Sequence, residues 1–345
     1  MKKQNIINLI KYYSEKNDSA FRNEVKEIAE DFDKNGDTEI ADYIMSLISV
    51  TNYYVPQNTY KNLEFLQKKS FDNKPLMLPE TISDDIIGLV RSASKSISIS
   101  KALFYGPPGS GKTESAYQVA RLLQRDLLSV RIEELIDSRL GQTQKNIVSL
   151  FDEIQHLPSQ NIVILFDEID SLVMNRLSSN DLREMGRVTS TFLKELENLS
   201  ERVLLICTTN LIDSLDKALL RRFDALISFD RYTKEDLIEA AISLLKTTIK
   251  KSDSSKLDTR LFTKILNNLD TVPYPGDIYQ IIKVSLAFSD ENSEYDYLRK
   301  IYMRLNNNLE PSIEELTKQG YTLREIEVLT KISKSSVARK LKGEQ

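Results

Sequence analysis

Eight consecutive residues, Gly106-Pro107-Pro108-Gly109-Ser110-Gly111-Lys112-Thr113, spell G-x-x-x-x-G-K-T. In this pattern a glycine-rich turn lets the backbone approach a phosphate without a Cβ in the way. The lysine then reaches the β- and γ-phosphates and the threonine hydroxyl holds Mg²⁺. Residues Pro107 to Thr113, with Glu114 just beyond, are therefore the expected nucleotide-binding loop, and ATP with Mg²⁺ the expected ligands. An acidic pair, Asp167-Glu168, follows the apolar run Ile162-Val163-Ile164-Leu165-Phe166. Asp167 is expected to join Thr113 on Mg²⁺, and Glu168 to orient and activate the attacking water, although a plain turn acid would look the same. Thr208-Thr209-Asn210 closes another apolar run and can set a polar group beside the γ-phosphate and the lytic water. Arg221-Arg222 reads in two ways: a solvated surface, or cations reaching a neighbouring subunit's γ-phosphate.

These groups need a scaffold that brings them to one edge. Ala102 to Tyr105 is a short apolar strand, and Glu114 to Gln124 carries Ala116, Val119, Ala120 and Leu123 at helical spacing. Strand, glycine turn and helix in that order aim N–H groups and the helix dipole at an anion. Asp126 to Val130 can form a second strand, and Ile132 to Leu135 opens a helix. Residues 144–156 and 187–199 read as further helices. Five consecutive apolar residues at 162–166 fit a strand buried on both faces of a parallel sheet. Its two acids emerge at the carboxyl end, where open α/β sheets bind ligands.

Length and composition bound the rest. A chain of 345 residues allows two or three domains, and 41% hydrophobic with 28% charged residues suits a water-soluble globular protein. The formal net charge of −4 argues against wholesale nucleic-acid binding, so any basic surface must be local. A single cysteine, Cys207, excludes an internal disulfide framework, and its apolar run makes it a core thiol in a reducing compartment. His156 has no cysteine or histidine neighbours. No uninterrupted apolar run nears the roughly 20 residues that span a bilayer. The opening amphipathic pattern is broken by Lys11, unlike a signal peptide. A cytoplasmic location without membrane contact is the expectation.

Residues 1–50 carry three apolar helical faces, around Ile6 to Tyr13, Phe21 to Phe32 and Ile40 to Ile48, and form a helical module that is either a structural cap or a partner-docking element. Residues 51–80, with Pro56, Pro75 and Pro79, lack sustained periodicity and read as a linker. Asp84 to Leu89 then leads into a helix and the first strand.

Together these motifs resemble the AAA family of the AAA+ ATPases over residues 80–290, with Thr208 to Asp224 similar to that family's second region of homology. The resemblance implies a P-loop α/β fold with a five-stranded parallel sheet in a nucleotide-binding domain at 81–230, a helical lid at 231–306, and a ring, usually a hexamer. It makes Asn210 the first sensor and Arg221 and Arg222 the arginine fingers. Pro275-Gly276-Asp277-Ile278 looks like the Gly-Ala-Asp element that opens a lid helix near the adenine, so Gly276 and Asp277 join the site. Ile87 and Gly88 would line the opposite wall. One segment departs from the family: Arg139 in Ser138-Arg139-Leu140-Gly141-Gln142-Thr143 stands where a pore aromatic is usual. The N-terminal helices, the Leu140 to Thr143 loop and the Arg-Arg-Phe-Asp end are also similar to bacterial AAA ATPases encoded beside subtilisin-like proteases, a group associated with phage defence.

Residues 312–345 form a tail. Thr322 and Glu325 make a capping box, and Lys331 to Lys342 holds five basic residues and no acid. The tail resembles a helix-turn-helix, with Lys334, Ser335, Ser336, Arg339 and Lys340 as the DNA-facing residues; the other reading is a small helical bundle that packs on the lid or a neighbouring subunit. The combined expectation is an oligomeric ATP hydrolase that remodels or switches a protein or protein–DNA partner. The alternative is a DNA-binding nucleotide switch that recruits its partner through ATP occupancy.

Overall fold

A computed structural model describes residues 3–14, 18–34, 37, 40, 63–70, 77–93, 99–137, 139, 141–157, 161–173, 181–250, 255–290 and 292–341. The chain divides into two compact units, residues 1–62 and 63–345.

Among the described residues, the first unit contains the helices α1 (Lys3–Ser14) and α2 (Asp18–Lys34). Ile28 and Ala29 are buried, and the Asn8 side chain donates to Glu24 Oε2 at 3.0 Å. The third apolar face expected at 40–48 lies outside the described residues, apart from Ile40.

The second unit is built on a six-stranded sheet, in the order β1-β3-β4-β5-β2-β6. β2 (Lys101–Tyr105), β3 (Asp126–Val130), β4 (Ile162–Phe166), β5 (Leu204–Thr209) and β6 (Ala225–Ser228) run parallel. Every side chain of β4 and β5 is buried, as continuous apolar runs in a parallel sheet require. Cys207 is a buried free thiol in β5, and burial pushes its pKa up. The five parallel strands are the expected ones, and a sixth, antiparallel, extends the sheet at its edge. β1 (Leu66–Lys69) pairs antiparallel with β3 and comes from the stretch read as a linker. Its sequence has no apolar alternation, and only Leu66 is buried. It is fixed from outside: the Glu153 carboxylate accepts from the N–H groups of Glu64 and Phe65 at 2.9 and 3.2 Å, and Arg131 N–H donates to Phe65 O at 2.8 Å.

Glu80–Ser92 is one helix, α3, which buries Ile82, Ile86, Leu89 and Ser92 on one face. α4 (Lys112–Leu122) starts directly at the end of the glycine turn. β4 leads into the short α7 (Asp170–Val173), numbered after α5 (Ile132–Leu135) and α6 (Gln142–Gln155). α8 (Asp181–Asn198) precedes β5, and α9 (Lys217–Leu220) precedes β6.

Beyond β6 the fold is helical: α10 (Lys234–Ile249), α11 (Thr259–Asn267), α12 (Pro275–Ala287), α13 (Asp296–Leu305), α14 (Ile313–Lys318), α15 (Leu323–Thr330) and α16 (Lys334–Leu341). One buried cluster runs through all of them. Leu245, Phe262, Ile282, Tyr297 and Ile301 share it with Leu316, Tyr321, Ile326, Leu329 and Val337. The last three helices therefore have no separate core. Polar links reinforce the seam. Asp296, with a side chain only 2% exposed, takes Lys331 Nζ at 3.0 Å, and Lys264 Nζ bonds both Gly320 O and Glu325 Oε2. The Thr322/Glu325 capping box is present at the start of α15. Among the described residues no helix is long and apolar enough to cross a membrane.

Candidate active site

The glycine turn between β2 and α4 works because of its backbone. Gly109 and Gly111 sit at φ +73° and +96°, where a Cβ is strained, so the chain can curl and still enter a helix at Lys112. Lys112 is buried, and its ammonium donates to Gly106 O and Pro107 O, both at 2.8 Å, and to Asn210 Oδ1 at 2.7 Å. Burial lowers its pKa; the carboxylates of Asp167, Asp170 and Glu168 act in the opposite direction. Since an ammonium can only donate, the Asn210 atom it meets is the carbonyl oxygen, and the two amide hydrogens are left for other acceptors.

Thr113 Oγ1 donates to Asp167 Oδ1 at 2.8 Å, and Thr208 Oγ1 donates to the same oxygen at 2.6 Å. Thr208 also accepts from Glu168 N–H at 2.8 Å. Glu168 has φ +53°, a costly conformation for a residue with a side chain, of order 1–3 kcal/mol. Its neighbours over-determine it: Ser171 Oγ donates to Glu168 O at 2.8 Å, and Ile169 N–H donates to Thr208 O at 2.9 Å. Asp170 takes Thr209 Oγ1 at 2.8 Å and so ties the end of β5 to the turn after β4.

These groups line one cleft of about 540 Å³, within the range of small-molecule sites. Its floor is Pro108, Gly109, Gly111 to Glu114, Asp167, Glu168, Thr208 and Asn210. Its far wall is Leu244, Thr247 and Thr248 of α10 with Pro275, Gly276 and Tyr279 of α12. Contact between the walls is close: Gly276 N–H donates to Gly109 O at 2.8 Å, and a Cβ on Gly276 would lie 2.7 Å from Gly109 Cα.

Several expected residues lie elsewhere. Pro107 and Ser110 belong to the loop but not to the cleft wall, and Asp277 sits in the first turn of α12 behind Gly276. Ile87 and Gly88 do not line the cleft. The Ile82, Ile86, Leu89 spacing makes 80–92 a helix, which turns Ile87 and Gly88 to its exposed face. Arg221 is exposed outside the cleft, and Arg222 is ion-paired with Glu197 of α8. Arg139 is exposed and forked onto Asp137, whose carboxyl it holds down at about 2. On α16, Lys334, Ser335, Arg339 and Lys340 are exposed, Ser336 is partly so, and Val337 is buried.

Sequence reasoning missed Asp170, Leu244, Thr247, Thr248 and Tyr279. Asp170 had a signal, an acid three residues after Asp167. The others sit on helices whose only pattern is apolar burial.

The donor set suits a nucleotide with a divalent cation. A buried ammonium rests on neutral oxygens, and the Ser110 and Ser115 hydroxyls are buried without partners in and beside the loop. Mg²⁺ is usually held by one or two carboxylates plus substrate phosphates, and Thr113 with Asp167 is a hard-oxygen pair of that size.

Comparison with known proteins agrees. Residues 102–231 match the family model "ATPase family associated with various cellular activities (AAA)". The chain is 39% identical over 132 residues to the "Uncharacterized AAA family ATPase y4kL" of Sinorhizobium fredii, covering 38% of this chain and 39% of that protein. It is 38% identical over 189 residues to the peroxisomal ATPase PEX6 of Rattus norvegicus, covering 50% of this chain and 18% of that protein. It therefore spans well under half the length of these relatives. In fold it is similar to the FIGL-1 AAA domain solved in complex with ADP, with a TM-score of 0.53 and 18% identity over 76% of this chain and 93% of that one. Through residues 102–231 the chain carries an ATPase domain of the AAA family.

Proposed function

We propose that the protein hydrolyses ATP in the cleft between the sheet and the helical lid, and uses the turnover to remodel or switch a macromolecular partner. The observation that carries this reading is the convergence of Lys112, Thr113, Asp167, Glu168 and Asn210 on one cleft. Lys112 neutralises the β- and γ-phosphates. Thr113 and Asp167 hold the cation, which when bound draws charge from the phosphate oxygens. Glu168, aimed by its fixed backbone, accepts a hydrogen bond from the attacking water. The free amide hydrogens of Asn210 donate to the γ-phosphate or that water. The test is phosphate release with and without Mg²⁺. A purified, folded protein that releases no phosphate with any nucleoside triphosphate removes the reading.

Assembly into a ring, hexameric by analogy with the family, belongs to the same proposal. Arg221 is the residue free to reach a neighbouring subunit, while Arg222 must leave Glu197 to do so. Mixing Arg221→Ala subunits with Lys112→Ala subunits should restore part of the activity that each lacks alone. A subtilisin-like protease is the first protein partner to test, in a cytoplasmic setting and with phage defence as the context.

The exposed basic residues of α16 support a second reading, a DNA-binding nucleotide switch. Lys334, Ser335, Ser336, Arg339 and Lys340 would meet DNA with Val337 turned into the core. DNA affinity that is steeply salt-dependent and rises with ATP occupancy, without need of turnover, is its signature.

A further inference from the structure

We propose that Tyr232 is a positioning residue for phosphate binding, setting the direction of a P-loop N–H from the lid side of the molecule. The inference rests on the nucleotide reading above. Tyr232 lies where the chain crosses from β6 into α10, the first lid helix. Its ring packs both against the buried cluster under the sheet, with Phe104 and Phe229, and against the cluster of the lid. It also meets the Tyr274 ring edge-on, with centroids 5.8 Å apart. From this position its hydroxyl donates to Ser110 O at 2.8 Å. Burial raises the phenol's pKa, which keeps it a donor at neutral pH.

The geometric consequence follows from peptide planarity. Ser110 O and Gly111 N–H share one peptide unit, trans as are all the described peptides, so they point in opposite directions. Holding the carbonyl on Tyr232 therefore aims Gly111 N–H the opposite way within the same peptide plane. The preceding peptide is held as well, since Gly109 O accepts from Gly276 N–H. Two adjacent peptides of the phosphate loop are thus clamped by groups from the lid and its entry. A loop with φ +73° at Gly109 and +96° at Gly111 has many alternative orientations, so this clamp pre-orders donors that a phosphate would otherwise have to order itself.

The experiment compares wild type with Tyr232→Phe, which keeps the ring between the two cores and removes only the hydroxyl. Affinity is measured for Mg·ADP and, by displacement, for adenosine, which has no phosphate; the melting temperature is measured without ligand. The expected result is about fivefold weaker Mg·ADP binding, the size of one net hydrogen bond, with adenosine affinity unchanged and ligand-free melting lowered by at most a few degrees. Tyr274→Phe deletes the neighbouring hydroxyl, which binds Asp230 and not the loop, and should leave Mg·ADP affinity unchanged. Equal Mg·ADP affinity in Tyr232→Phe and wild type overturns the role while leaving the nucleotide site intact. Equal losses for Mg·ADP and adenosine, or an equal loss in Tyr274→Phe, make the residue merely structural and also overturn it. A wild-type protein that binds neither ligand removes the nucleotide reading and this role with it.

Discussion

The cleft and the C-terminal helices both collect cations and hydroxyls, and they treat them in opposite ways. Lys112 is buried, fixed on three oxygens, and lowered in pKa by its burial. Lys334, Arg339 and Lys340 are exposed on α16, while Val337 of the same helix is buried in the shared helical core. In the cleft, desolvation has already been met by fixed dipoles, so one side chain can decide whether a phosphate binds. On α16 each charge is screened and replaceable, and only their sum matters. The two regions also differ in dependence. The cleft borrows its far wall from α10 and α12, while α14 to α16 borrow their whole core from the lid.

That contrast can be broken most severely by truncation after Glu310. The cut removes Leu316, Tyr321, Ile326, Leu329 and Val337 from a shared core, at about 1.5–3 kcal/mol each, comparable to the whole stability of a domain. The expected outcome is a molten or insoluble lid and lost nucleotide binding, seen by calorimetry and nucleotide titration. A truncated protein that melts as wild type and hydrolyses ATP would make the tail a detachable module. Next in size is Glu168→Gln, which should lower turnover about 10³-fold, within the range for a displaced general base, while nucleotide affinity holds. Comparable turnover in the two proteins takes Glu168 out of its role. Lys112→Ala should weaken nucleotide binding by about 10²-fold, as for a charged hydrogen bond lost with its partners left behind. An effect no larger than that of Arg339→Ala on DNA would erase the distinction between buried and exposed cations. The mildest change is Arg339→Glu/Lys340→Glu. It should lower DNA affinity about tenfold and flatten its salt dependence, with ATP hydrolysis in the absence of DNA unaltered. If this variant binds DNA like wild type at every salt concentration, the α16 face is not the contact.

The cleft's floor was legible in the sequence because its chemistry sits at strand ends. Apolar runs at 102–105, 162–166 and 203–207 announce buried parallel strands, and the polar residues that close them must emerge at one edge. The far wall was not legible. Leu244, Thr247, Thr248 and Tyr279 reach the cleft only through helix packing, which no local spacing encodes. The edge strand was equally silent, since Leu66-Gln67-Lys68-Lys69 becomes a strand through Glu153 and Arg131, distant in sequence. Asp84 to Leu89 reads as a lead-in to a helix, yet the burial of Ile82, Ile86 and Leu89 makes the stretch part of α3 itself. The tail's three helices were readable one by one, whereas their common core with the lid depends on Asp296 and Lys331 meeting across a long sequence gap.

The Gly276–Gly109 hydrogen bond lies at the start of α12, and Lys331 pairs with Asp296 beyond that helix's end, within one packed unit. Thermodynamic reciprocity then applies to whatever touches α16. A macromolecule that grips this helix more tightly in one seating of the lid changes nucleotide affinity by some factor, and nucleotide must change that macromolecule's affinity by the same factor. A fluorophore on α16, which lines no part of the cleft, should on this account titrate with nucleotide concentration. Its midpoint would report the cleft's own dissociation constant, and its shift on adding a candidate partner would measure the coupling directly.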